Sequence, residues 1–172
     1  TYIGGPEDDF GQNIDLDPAG NIYVTGATSS VNGIATAGTA QINYGGGPSD
    51  GFVAKLDNDG TMLWATYFGG AENEFSNAVA ADASGNVYIA GWTNSETGIA
   101  TAGAHQTVFS QAQDAFLAKY DANGILMWST YYGGTGLDIG LQLSTTTADE
   151  VWISGWTSSK AGMALLGAHQ PV

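Results

Sequence analysis

Thr66-Tyr67-Phe68-Gly69-Gly70 repeats Thr1-Tyr2-Ile3-Gly4-Gly5, and the same stretch returns as Thr130-Tyr131-Tyr132-Gly133-Gly134. The copies therefore begin 65 and 64 residues apart. A near-constant period of this size marks a repeat architecture, in which each unit covers its apolar surface with its neighbours. One domain over residues 1–172 is expected: repeat 1 at 1–65, repeat 2 at 66–129 and an incomplete repeat 3 at 130–172.

Four strand candidates follow from each complete copy. The first begins at Phe10 and Phe75, the second is NIYVTG, NVYIAG and EVWISG, the third is GFVAKLD and AFLAKYD, and the fourth centres on Trp64 and Trp128. All are rich in β-branched and aromatic residues. Pro18–Asn21 and Ala83–Asn86 supply turns between strands one and two, and Asn58–Gly60 and Ala122–Gly124 between three and four, with glycines suited to the positive φ of tight hairpins. Ile22 and Val24 point one way and Tyr23 the other, so the sheet is expected to be covered on both faces. The sequence thus predicts an all-β fold, a partial β-propeller of four-stranded antiparallel blades with a 64–65-residue repeat. A segment of about twenty residues separates strands two and three. Because it repeats (GIATAG at Gly33 and Gly98, and Gln41, Gln106 and Gln170 in matching places), it is expected to be an ordered excursion on the outer side of the blade.

Charge and composition exclude several classes. Seventeen Asp and Glu face only Lys55, Lys119 and Lys160, for a net charge of −14. Such a field repels phosphate backbones and anionic lipid surfaces, which excludes nucleic acid and membrane-surface partners. Without cysteine there is no disulfide framework, thiolate metal site or Cys nucleophile. No apolar run reaches the length of a membrane-spanning helix, so membrane insertion is not expected. The chain begins at Thr1 and its third copy stops before strands three and four, so it reads as a mature form or excised piece, closed by further blades or other copies.

Together TY-GG, the D-x-GN-YV-G-T-S block, GAHQ and the DAF-AK-D-G---W block resemble the bacterial β-propeller repeat family abbreviated SBBP. The resemblance implies secreted or cell-surface bacterial proteins, many of them exported by type IX secretion. It implies no catalytic residue set. The third copy departs from the pattern at Thr145 to Glu150, where DASGN is expected.

Four constellations could carry chemistry. Asp9, Glu74 and Asp138 are equivalent positions before strand one, where a ring of carboxylates near a central channel would suit Ca²⁺; the alternative is that each fixes its own turn through backbone N–H groups. Trp92 and Trp156 follow equivalent glycines and would serve either as sugar-stacking platforms or as packing between blades, while Trp64 and Trp128 are expected in the core. His105 and His169 sit in equivalent GAHQ motifs and read as loop residues. Asp57-Asn58-Asp59-Gly60, Asp50 and Asp114 read as turn residues and not as metal ligands. Neither a G-x-S-x-G elbow nor a phosphate loop occurs.

The leading expectation is a non-enzymatic scaffold, adhesion or protein-interaction module with no catalytic residues and no required cofactor. A carbohydrate-binding propeller and an accessory region of a larger secreted enzyme are the alternatives.

Overall fold

The computed structural model describes residues 1–146 and 150–163. Its strands are β1 (Asp9–Leu16), β2 (Ile22–Thr28), β3 (Asp50–Leu56), β4 (Met62–Phe68), β5 (Glu74–Ala81), β6 (Val87–Thr93), β7 (Asp114–Tyr120), β8 (Leu126–Tyr132), β9 (Asp138–Thr145) and β10 (Val151–Thr157). They form two antiparallel four-stranded sheets, β1-β2-β3-β4 and β5-β6-β7-β8, and a two-stranded β9-β10. We call these blades 1, 2 and 3. The Thr-Tyr pair of each later repeat mark closes an outer strand, β4 or β8, so the sheets are offset from the sequence copies.

Each blade is built by the same local devices. Asp17 caps the first turn: its Oδ1 accepts from Ala19 and Asn21 N–H at 2.9 and 3.0 Å, and its Oδ2 from the Asn21 amide at 2.7 Å. Asp82 does the same for Ser84 and Asn86, and Asp57 and Asp121 do so for the β3–β4 and β7–β8 turns. Gly20, Gly60, Gly85 and Gly124 take the positive φ that each turn requires. The Asp57 loop is thus a hairpin turn, as its sequence indicates.

A bulge interrupts the first pair of every blade, between Gly11 and Asn13, Ser76 and Ala78, and Ser154 and Gly155. Opposite it, a Cβ on Gly26, Gly91 or Gly155 would overlap the backbone carbonyl of Phe10, Phe75 or Ile139. The bulge twists the inner strand, and only glycine admits that approach.

The long loop between strands two and three is ordered and lies along the outer strand. Thr36 N–H donates to Ala65 O at 2.8 Å, and Tyr67 N–H to Gln41 O at 3.1 Å. Thr101 and Gln106 repeat this against Ser129 and Tyr131. The loop therefore pairs with β4 and β8, covering edges that would otherwise be open to another chain.

Blades stack face to face. The main core joins Tyr23, Val53, Trp64 and Phe68 of blade 1 to Val79, Val87, Ile89 and Phe116 of blade 2. Phe68 and Phe116 lie 4.5 Å apart between ring centroids. Where this stacking is missing, equivalent residues emerge: Val79 is 4% exposed but Ile14, its counterpart on blade 1, is 61% exposed.

Gly91→Ala is expected to lower the unfolding midpoint strongly, because the obstruction is backbone and cannot rotate away. Gly11→Ala, where a Cβ meets nothing within 4 Å, should leave stability within about 0.5 kcal/mol of the parent. Paired urea titrations of the two variants check this, and equal midpoints would contradict it.

Candidate functional site

The chain passes from the outer strand of one blade to the inner strand of the next through Gly-Gly and a short acidic segment. Asp9, Glu74 and Asp138 stand at the first position of β1, β5 and β9. Each reaches back to its own turn and forward to the end of strand two. Glu74 Oε2 accepts from Gly70 N–H at 2.8 Å, and its Oε1 accepts from the Thr93 hydroxyl. Asp138 accepts from Gly134 N–H at 2.8 Å, from Ser159 Oγ at 2.7 Å and from the Thr157 hydroxyl. Asp9 accepts from Gly5 N–H at 2.7 Å, Thr28 Oγ1 and Ser30 Oγ. These are turn-fixing contacts inside separate junctions. Among the described residues no three His, Cys, Asp or Glu side chains come close enough together to hold a metal ion.

The structure adds a second carboxylate to two of these junctions. Asp50 opens β3 and Asp114 opens β7, and both are fully buried. Asp50 Oδ2 accepts from Gly45 N–H at 2.7 Å and from the Gln41 amide at 3.3 Å, but Oδ1 has no partner. The point where a Cβ on Gly69 would stand lies 2.5 Å from Asp50 Oδ1 and 2.7 Å from Glu74 Oε2. Gly69 therefore lies wedged against two carboxylates from different blades. At Gly133 the same point meets Asp114 Oδ1 and Asp138 Oδ2, and Asp114 Oδ1 is again unpartnered. The sequence marked Asp50 and Asp114 only as turn residues; their equal distance from the repeat mark was the signal that they would meet the acidic position of the next blade.

Burial pushes the Asp50 carboxyl up to about 7, and the adjacent Glu74 charge adds to the rise. Burial raises Asp114 as well, with Asp138 adding to it.

Lys55, 7% exposed, lies 5.1 Å over the Tyr23 ring, and Lys119 lies 5.0 Å over Tyr88. Trp92 is half-buried and stacks on Phe75 at 6.0 Å, so one of its faces is spent in packing. Trp156 is 50% exposed, with Trp152 on the same side of β10 at 65%. Trp64 is in the core at 6% exposure, whereas Trp128 is only half-buried, contrary to the expectation that both are core residues. Trp128 lacks the cover that blade 2 gives Trp64. His105 packs near Tyr132, 5.7 Å between centroids, while His169 and Gln170 lie outside the described residues.

Stacked antiparallel blades joined at their inner strands define a partial β-propeller. Residues 1–35 and 63–98 match the family model of the SBBP beta-propeller repeat. It is also 25% identical, over 162 residues, to an uncharacterized WD repeat-containing protein of Acanthamoeba polyphaga mimivirus. That match covers 83% of this chain but 11% of the viral protein.

The junction carboxyls set a pH dependence. A folded-state pKa above the unfolded value of about 3.9 means that the native chain binds more protons than the unfolded one between those two values. Stability from Asp50 is therefore fully present below about pH 4 and is lost as pH rises through about 7. Asp50→Asn keeps an acceptor for Gly45 and offers Glu74 a donor at every pH. It should raise the urea midpoint at pH 8 and flatten its decline between pH 5 and 8; an unchanged profile would remove Asp50 as the source of that decline.

Proposed function

We propose that this chain is a non-enzymatic interaction module that presents blade surfaces to protein partners, serving as a scaffold or adhesion surface outside a bacterial cell. The observation that carries the reading is how the repeated polar groups are used. Asp9, Glu74 and Asp138 are satisfied by the turns they fix, and Asp17, Asp57, Asp82 and Asp121 cap hairpins. Exposed apolar side chains, among them Ile14, Leu16, Trp152 and Trp156 at the two ends of the stack, offer contact surface beside the exposed carboxylates of the loops. A surface of this kind binds by shape and apolar contact, with aromatic anchors. The resemblance to secreted repeats supports the location, and the net charge of −14 suits a partner that is not itself anionic.

Exposure of Trp156 favours one second reading, a glycan platform shared with Trp92. A glycan array decides between the two. Retention that disappears in Trp92→Ala/Trp156→Ala, with the fold kept, would put carbohydrate first; no retention by the parent chain is the outcome expected here. Chemical cross-linking to cell-surface proteins should give a defined adduct that weakens in Trp152→Ser/Trp156→Ser. Turnover of a substrate without any adduct would overturn the reading and favour an accessory region of an enzyme.

A further inference from the structure

We propose that Asn32 is a site of spontaneous backbone modification. It closes on the Gly33 nitrogen to a succinimide that opens to aspartate or isoaspartate, and the isoaspartyl product loosens the junction at the head of blade 1.

Four asparagines precede Gly, Ser or Asp, the residues that least hinder attack of the next peptide nitrogen on the side-chain carbon: Asn32, Asn58, Asn94 and Asn123. At the last three the attacking nitrogen is tied down. Asp59 N–H donates to Asp57 Oδ1 at 3.0 Å, Ser95 N–H to Thr93 Oγ1 at 2.9 Å and Gly124 N–H to Asp121 O at 3.1 Å. Ser95 and Gly124 are buried as well, the latter pressed against the Trp64 indole. Asn32 and Gly33 differ on each count. Both are exposed, and neither the Asn32 amide nor the Gly33 N–H has a hydrogen-bond partner among the described residues.

This exposure belongs to the loop and not to an end of the chain. Thr97 and Gly98 hold the same places on blade 2, with blade 1 on one side and blade 3 on the other, and they are exposed too. Gly33, Gly98 and Gly162 have φ of 93, 85 and 87°, so the three loops share one backbone. Thr97 and Ala161 are the copies that lack the reactive amide.

Water is the only reagent consumed. Gly33 N loses its proton to solvent and bonds to Asn32 Cγ, the Cγ–Nδ2 bond breaks, and Nδ2 takes up a proton and leaves as ammonia. Water then opens the ring. Cleavage between Gly33 N and Cγ gives an aspartate in an ordinary chain, whereas cleavage between Gly33 N and the main-chain carbonyl leaves the chain running through Cγ, as isoaspartate. Either product adds one negative charge to the net −14.

Isoaspartate puts an extra methylene into the main chain where there is least room. Asn32 O lies against Gly5 at the point that a Cβ there would occupy, and a Cβ on Gly33 would stand 3.1 Å from Gly5 Cα. Gly5 N–H in turn donates to Asp9 at 2.7 Å, and Asp9 accepts from Thr28, tying β1 to β2. Displacing the Asn32 carbonyl disturbs the contact that positions Gly5 for Asp9.

The test ages the full chain in mildly alkaline buffer, folded and in guanidinium chloride, and follows each asparagine by peptide mass mapping with isoaspartyl-specific methylation. In the folded chain Asn32 should convert about tenfold or more faster than Asn123, whose nitrogen reacts only after its turn opens. In guanidinium chloride the two Asn-Gly steps should converge. Asn32→Thr, the residue of the blade 2 copy, should remove the early acidic species from ion exchange. Equal folded-state rates at Asn32 and Asn123, or a difference that survives unfolding, would overturn the proposal. The isolated isoaspartyl form should exchange its amides faster at Gly5 and along β1, with β7 and β8 unchanged; parental exchange at Gly5 would overturn the effect on the junction.

Discussion

A sheet that is apolar on both faces cannot end at water, and this constraint organises the molecule. Tyr23 and Val53 on one face of blade 1 meet Val79 and Ile89 on the facing side of blade 2, and Phe116 closes the outer part of the same layer. Burying each such side chain contributes on the order of 1.5–3 kcal/mol, and the aromatic contact about 0.5–1.5 more. Several repeat across one interface, which outweighs any single polar contact in the junction. The long loops follow from the same constraint applied edgewise: having wide blades, the chain covers the outer strand with its own backbone.

Polar groups inside such a stack depend on local partners, because little water reaches them. Asp17 and Asp82 meet this with several donors each, and those donors hold their carboxyls below the usual range despite burial. Asp50 and Asp114 have fewer donors and face another carboxylate, so burial wins and their affinity for protons rises. The same residue type thus behaves oppositely at the hairpin turn and at the junction. Stability contributed by the turn aspartates fades in acid, whereas that of the junction aspartates fades as pH rises.

Fold class was legible because its signals are local. The Asp-Gly turns, alternating aromatics and repeat mark each fix a strand or a register, and the recurrence of Gln41 and Gln106 rightly indicated an ordered loop. Trp128 shows where local reading ends. Its neighbours are as apolar as those of Trp64, yet its burial depends on a hairpin from the following blade, which no pattern around residue 128 encodes. Asp50 was unreadable for a related reason: its partner lies in the next repeat, and a carboxylate beside a glycine-rich loop looks like any turn residue until the junction brings Glu74 alongside.

The exposed tryptophans at the end of the stack therefore have a physical explanation that precedes any ligand. Trp152 occupies the place held in the other two blades by the buried Tyr23 and Tyr88, yet it is 65% exposed. A sugar platform requires an aromatic face held open in the complete assembly. Trp92 is already half-buried and stacked on Phe75 of its own blade. The apolar end surface is thus better matched to a protein partner than to a hydrated glycan, because a protein supplies apolar side chains against Trp152 and Trp156.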